Sequence, residues 1–314
     1  MSRYPGLLSP EAKESWCAEM SALAYSGNSM VDPLRRVIVC SPLTAGWDQP
    51  ERAARWQALG FLHKPDFEKA RSQHAEMCRQ LEDAGAEVLE LPPANELSLD
   101  AVYVHDASLP TDFGLVLMRP GKANRIPEAQ WHEKFFLHMA HVPMLMKITE
   151  PASTEAGDIV WLDSKTLLVG NGYRTNADGI AQLRSALFRH GIEVIPAPLP
   201  HGSGPSACLH LMSLLSLLDE RTALVDLPWL SVPTVELLKS RGYGFIEIDY
   251  QERETLACNV LSLGNKRLLA LEENRRTNAK LRAAGFEVRT FPGSELSING
   301  GGGPTCLTRP LLRA

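Results

Sequence analysis

Apolar residues fall into short runs of strand length, paired across tight polar turns, and each pair is followed by a helical pattern. The clearest stretch is DIVWLDSKTLLVGNGYRTNADGIAQLRSALFRHGIEVIPAPLP, from Asp158. Two strands flank the turn Asp163-Ser164-Lys165. Ile180, Leu183 and Leu187 then recur at helical spacing, and Gly191 ends the helix before a strand over Ile192 to Ile195.

The same order recurs along the chain. One copy starts at Asn259 with the turn Gly264-Asn265-Lys266, and another starts at His210. A further copy starts at Asp106, with its turn near Thr111-Asp112-Phe113-Gly114 and an irregular later part. The Asp158 and Asn259 copies share Arg-Thr-Asn-Ala (174–177 and 276–279) and Gly-x-Glu-Val (191–194 and 285–288). The fifth copy is split. Its opening strand is CLTRPLL from Cys306, while the N-terminal half supplies the strand Arg36–Cys40, a helix from about Pro65 to Ala84, and Gly85-Ala86-Glu87-Val88. Joining the two ends completes a unit and leaves no free sheet edge there. Residues 34–314 therefore read as one α/β domain of five repeats, behind an N-terminal extension over 1–33.

The copies open on Asp106, Asp158, His210, Asn259 and Cys306, spaced 52, 52, 49 and 47 residues apart. Equivalent strand starts around a pseudo-fivefold axis would bring these side chains to one end of it. Polar strand starts are common, and that explanation suffices for Asn259. It does not explain why two acids, an imidazole and a thiol should share the other four positions.

Composition narrows the function classes. The chain has 314 residues, 44% hydrophobic and 22% charged, and a net charge of −5 with no basic block. Nucleic-acid binding is disfavoured. No apolar run reaches the roughly eighteen residues of a membrane span, and no secretory signal opens the chain. A cytoplasmic protein with free thiols is expected. The cysteines at 17, 40, 78, 208, 258 and 306 form no CxxC pair. Cys40 reads as core. Cys208, two residues from His210, is the rival nucleophile; if that segment is a strand, both side chains point the same way. His132, His138 and His141 lack the further ligands of a zinc site. Met118, Met139, Met144 and Met146 read as core filler, and the charged run 272–276 as a solvated helix start.

A thiol beside an imidazole becomes a nucleophile with a proton-transfer partner. Two carboxylates beside a thiolate need a cation between them, and a planar guanidinium or amidine supplies one. The run Asn299-Gly300-Gly301-Gly302-Gly303-Pro304-Thr305-Cys306 adds close backbone approach next to the thiol.

These residues resemble the guanidine-modifying (pentein) superfamily of dimethylarginine dimethylaminohydrolases, arginine deiminases and amidinotransferases, and the first branch above all. The resemblance covers about residues 34–312 and implies a five-bladed α/β propeller of ββαβ units. It also implies catalytic roles for Cys306 and His210. Thr154-Glu155-Ala156-Gly157-Asp158 resembles the motif whose Glu contacts the guanidinium and orients the histidine. Asp100-x-x-Tyr103-Val104-His105-Asp106 resembles a motif ending in Glu-Asp, whose Asp holds the guanidinium. His105 stands where the branch has Glu, and Tyr103 where it has Phe, so His105 is expected to bear on substrate choice. Arg125 and Arg174 are the expected clamp for the substrate α-carboxylate, with Asp158 among the substrate-binding residues.

The expected reaction is hydrolysis of arginine or an N-methylated arginine to citrulline and an amine, with no metal or organic cofactor. Arginine deiminase and amidinotransferase chemistry are the alternatives on the same residues, and a non-catalytic binding protein is an alternative of another class. The expected partner is a small guanidino compound. The sequence does not fix an oligomeric state; a homodimer is one option.

Overall fold

The computed structural model describes residues 25–205, 207 and 209–314. Cys17, Cys208 and residues 1–24 of the expected extension lie outside the described residues.

Among the described residues, fifteen strands form five three-stranded sheets. In chain order the elements are β1 Leu34–Val39, α1 Phe67–Asp83 and β2 Glu87–Glu90; β3 Ser108–Thr111, β4 Gly114–Leu117, α2 Ile126–His138 and β5 Met144–Lys147; β6 Ile159–Asp163, β7 Thr166–Asn171, α3 Ala177–Phe188 and β8 Glu193–Pro198. Then come β9 Leu215–Leu217, β10 Thr222–Val225, α4 Val232–Ser240 and β11 Gly244–Glu247; β12 Leu261–Gly264, β13 Arg267–Leu271, α5 Arg275–Ala283 and β14 Glu287–Phe291; and β15 Arg309–Arg313. In each sheet the first two strands are antiparallel and the third is parallel, reached through the helix. The split unit obeys the same rule: β15 pairs antiparallel with β1, and β1 pairs parallel with β2.

The local chemistry matches these turns. Asn265 and Lys266 both adopt positive φ, 54° and 58°, as a two-residue hairpin turn requires. Gly85, Gly191, Gly242 and Gly285, at φ between 71° and 91°, end α1, α3, α4 and α5 in the left-handed conformation that glycine tolerates best. Asp66 and Asn176 cap α1 and α3 by accepting from the amides of Lys69 and Gly179. The shared Arg-Thr-Asn-Ala is not equivalent in the two copies. Asn176 is the cap of α3, whereas residues 276–279 lie within α5, whose first amides at Arg276 and Thr277 are held by the Glu252 carboxylate at 2.7 and 2.8 Å.

The core lies between the sheets. On β6 and β7, Ile159, Trp161, Leu167 and Val169 pack toward Leu109 and Val116 of the preceding unit. The alternate residues Val160, Leu162 and Leu168 pack toward Leu215, Leu217 and Ala223 of the following one. Both faces are buried, so the strands are apolar throughout rather than alternating. The result is a propeller-like arrangement of five small sheets.

Two sequence expectations need correction. The five opening residues are not the first residues of strands: each lies in the turn before its first strand, Asp158 directly before β6 and Cys306 three residues before β15. The segment at His210 is likewise not a strand; His210 caps a single turn over Leu211–Ser213. The condition under which Cys208 and His210 would point the same way is therefore not met at His210, and Cys208 lies outside the described residues. The methionines and Cys40 do pack in or against the core, and α5 starts at Arg275. No helix among the described residues is long and apolar enough to cross a membrane.

Candidate active site

The turns before the first strands meet at one end of the sheets, and hydrogen bonds link them from unit to unit. Asp106 Oδ1 accepts from the Gly157 amide at 3.0 Å, and Asp158 Oδ1 from the Leu211 amide at 2.9 Å. Asn259 Oδ1 accepts from the Thr305 amide at 3.0 Å. The Cys306 carbonyl accepts from the His105 amide at 3.1 Å, joining the last unit to the first.

Cys306 sits partly exposed in a tight turn, where the Leu307 amide bonds back to the Gly303 carbonyl at 3.1 Å. Its sulfur accepts a hydrogen bond from Asn259 Nδ2 at 3.2 Å. A donor on sulfur favours the thiolate. Cys40 and Cys258 have the opposite environment: both are buried, and burial followed by nearby carboxylates drives their thiols up. The glycine run is there for space. A Cβ at Gly300 or Gly302 would strike the Tyr103 ring, one at Gly303 would lie 2.7 Å from the Asn259 side chain, and Gly301 has φ 82°.

His210 is fixed by Glu155, with Nε2 to Oε2 at 2.6 Å and both residues buried. Glu155 Oε1 accepts from the Gly121 amide at 2.9 Å, and Arg174 Nη1 approaches it at 3.7 Å. Burial raises the Glu155 carboxyl, but its bond to His210 and the charge of that ring outweigh burial and hold it below the ordinary range. Gly157 lets the two halves close: a Cβ there would lie 2.6 Å from His210 Nδ1 and 2.7 Å from Asp106 Oδ1.

Asp106 Oδ2 is bonded to Arg125 Nη1 at 2.5 Å. Burial opposes ionisation of Asp106, yet the charges of His210 and Arg125 pull it well below the usual carboxylate range. Arg125 is committed to protein partners. Besides Asp106, it bonds Glu128 through Nε and Nη2 and the Tyr103 carbonyl through Nη2 at 2.8 Å. Burial pushes the Glu128 carboxyl up to about 7 against the pull of Arg125. Arg174 is also buried; Nη2 donates to the Ala207 carbonyl at 3.2 Å and Nε has no partner among the described residues.

The remaining expected residues lie around this centre. Asp100 Oδ2 accepts from Asn124 Nδ2 at 3.1 Å, with Lys122 Nζ at 3.6 Å. Tyr103 donates its hydroxyl to the Leu296 carbonyl at 3.2 Å. His105 turns its Nδ1 to the Thr308 carbonyl at 2.8 Å, and burial followed by the charge of Arg309 lowers it to about 3, so the ring is neutral. Burial raises Asp158 to about 6 against the opposing charge of His210 and a side-chain hydrogen bond from Thr175. His132 binds Ser108 Oγ at 2.9 Å inside the core, while His138 and His141 are exposed.

Asp106, Glu155 and His210 each offer a ligand atom within 4.8 Å of the others, a set that could hold a metal ion. In this arrangement His210 and Glu155 bond each other and Asp106 bonds Arg125.

Sequence reasoning passed over three features. Asn259 was explained as an ordinary polar strand start, although its place in the five-residue series marked it. Glu128 stands three residues after Arg125, the spacing of a helical ion pair. The long connection after β1 also reaches the site: the Leu62 and His63 amides bond the Asn299 carbonyl and side chain at 2.9 Å each. Its sequence carries no repeat to reveal that placement.

A family model described as N,N dimethylarginine dimethylhydrolase, eukaryotic, matches residues 57–313. The chain belongs to this family. Within the pentein superfamily it falls in the dimethylarginine dimethylaminohydrolase branch, and it is an amidine-hydrolysing enzyme. The N(G),N(G)-dimethylarginine dimethylaminohydrolase of Pseudomonas aeruginosa is 30% identical over 241 residues, covering 76% of this chain and 88% of that relative. An arginine deiminase of Mycobacterium marinum is 26% identical over 337 aligned residues, covering 96% and 81%. The Pseudomonas aeruginosa enzyme, solved as a mutant complexed with citrulline, superposes with a TM-score of 0.71 at 26% identity, covering 88% of this chain and 99% of that one.

Proposed function

We propose that the chain hydrolyses an N-methylated arginine to citrulline and an alkylamine through a covalent bond to Cys306. The observation that carries this reading is the pairing of a partly exposed thiol, held by Asn259, with a buried His210–Glu155 pair at the same end of the sheets. That the related Pseudomonas aeruginosa enzyme was solved with citrulline supports the product. We further propose that the five units close a ring about a pseudo-fivefold axis.

The Cys306 thiolate attacks the guanidinium carbon. His210, whose Nε2–H donates to the Glu155 carboxylate, carries a second proton on Nδ1 and delivers that one to the departing amine as the C–N bond breaks. A thiouronium-type adduct remains. Water, deprotonated by His210, adds to its carbon; the C–S bond then breaks, releasing the ureido product and the thiolate. Asp106 and Glu155 stabilise the cationic carbon centre, with Asp158 and Asp100 at its margin. Arg174, with its unpartnered Nε, is the clamp for the α-carboxylate. Arg125 reaches that carboxylate only by loosening its bond to Asp106.

The test is a substrate screen with dimethylarginine, monomethylarginine, arginine and agmatine, with mass spectrometry of the quenched protein. A mass increase on Cys306 with methylated arginine, absent in Cys306→Ser, is expected. Full turnover by Cys306→Ser overturns the proposal; release of ammonia from arginine at the higher kcat/KM replaces it with deiminase chemistry.

A further inference from the structure

Trp161 Nε1, Arg309 Nε and Arg313 Nε are buried N–H groups without a hydrogen-bond partner among the described residues. All three residues line one cavity of about 20 Å³. Its walls draw on every unit, through Leu109, Trp161, Met212, Leu261 and Arg309, so it lies where the five sheets meet. Among the described residues no acidic side chain lines it. Arg309 Nη1 donates to the carbonyls of His105 and Ser108 at 3.1 and 2.8 Å. Arg313 donates to the carbonyls of Asp32 and Ser262, through Nη1 at 2.6 Å and Nη2 at 2.9 Å.

Two buried guanidinium groups therefore share a cavity wall, each with an Nε–H to spare and no hydrogen-bonded carboxylate; the charges of Asp106 and Asp32 act on Arg309 and Arg313 without such a bond. Carbonyl dipoles satisfy hydrogen bonds but do not cancel charge. Burial lowers Arg309 to about 9 against the pull of Asp106 and with the help of the Arg313 charge, and lowers Arg313 to about 10 against the pull of Asp32; both remain cations at neutral pH. Size limits what can enter. A water molecule needs about 10–15 Å³ on this measure, so the cavity holds one or two waters or a single monatomic ion. Carboxylates, phosphate and arginine-like molecules are too large.

We propose that this cavity binds one chloride-sized monatomic anion through the N–H groups of Trp161, Arg309 and Arg313. The anion adds a directly hydrogen-bonded counter-charge and braces the sheets. Its position also matters to the site: Thr305 and His105, which line the cavity, directly precede Cys306 and Asp106.

Two measurements test this. Crystals grown in bromide should show an anomalous peak inside the cavity; water-only density there overturns the proposal. In solution, replacing sodium gluconate by sodium chloride at constant ionic strength should raise the melting temperature saturably, by about 2–4 °C. Arg309→Met should lose that response. Should it fail to fold, Trp161→Phe, which removes a single donor while keeping an aromatic ring in a shortened form, should need several-fold more chloride for the same shift. A wild-type melting temperature indifferent to chloride, or a Trp161→Phe protein with the wild-type response, overturns it.

Discussion

Asn259 Nδ2 donates to the Cys306 sulfur at 3.2 Å, and the same side chain holds Thr305 through its Oδ1, which accepts from the amide at 3.0 Å and the hydroxyl at 2.6 Å. One amide thus sets both the electrostatics and the position of the thiol, from the preceding repeat. Asn259→Ala should slow alkylation of Cys306 by iodoacetamide at neutral pH about tenfold, since a donor to the charged sulfur is worth about 1.5–3 kcal/mol at most. Asn259→Asp should slow it further, because a carboxylate repels the thiolate. An unchanged alkylation rate in both proteins refutes the role.

Arg125 is the counter-charge for Asp106 and Glu128 inside the protein. Arg125→Met removes it and leaves two carboxylates buried without their partner, at a cost of about 3–5 kcal/mol. Urea unfolding should read that loss. Glu128→Gln in the same chain should recover part of it, because one of the stranded charges is gone. Additive losses in the double variant would show that the two groups are not coupled.

Gly157 separates His210 from Asp106 by less than a methyl group needs. Gly157→Ala must displace one of them. Its kcat is expected to fall about a hundredfold, since displacements near 1 Å cost that much in a positioned site. Circular dichroism and a melting curve will separate this from gross misfolding, for which the kcat loss would be accompanied by a lost cooperative transition.

Asp158 should make the protein less stable as pH rises. Its carboxyl is raised from 3.8 to about 6 by burial. Between pH ~4 and ~6 the unfolded chain releases a proton that the folded protein still holds, so stability falls through this window and then levels off. Two pK units amount to about 3 kcal/mol. Asp158→Asn has no such titration. The two proteins should match near pH 4, and the variant should be the more stable at pH 7 by urea unfolding. A wild-type advantage at pH 7 contradicts the shift.

How much of this was legible in the chain differs between fold and site. The pairing of short apolar runs, the helix spacing at Ile180, Leu183 and Leu187, and the helix-ending glycines are local properties, and each sheet follows them. The split unit was legible too, because four intact copies show what the two ends lack. The strand starts were misplaced because a polar residue before an apolar run looks the same in a turn and in a strand. Arg-Thr-Asn-Ala misled for a related reason: a helix start is set by what caps it, and Glu252, which serves α5, lies 24 residues before Arg276.

The sequence by itself determined the five repeats and the series Asp106, Asp158, His210, Asn259 and Cys306, because repetition and spacing are one-dimensional facts. Only the tertiary structure decided who partners whom. Asn259 meets a sulfur 47 residues away, Arg125 turns to Asp106 and Glu128, and His105 turns to Thr308. Hydrogen bonds and charge depend on ångström distances between units, and burial sets which charges persist; neither quantity is written in the order of the residues.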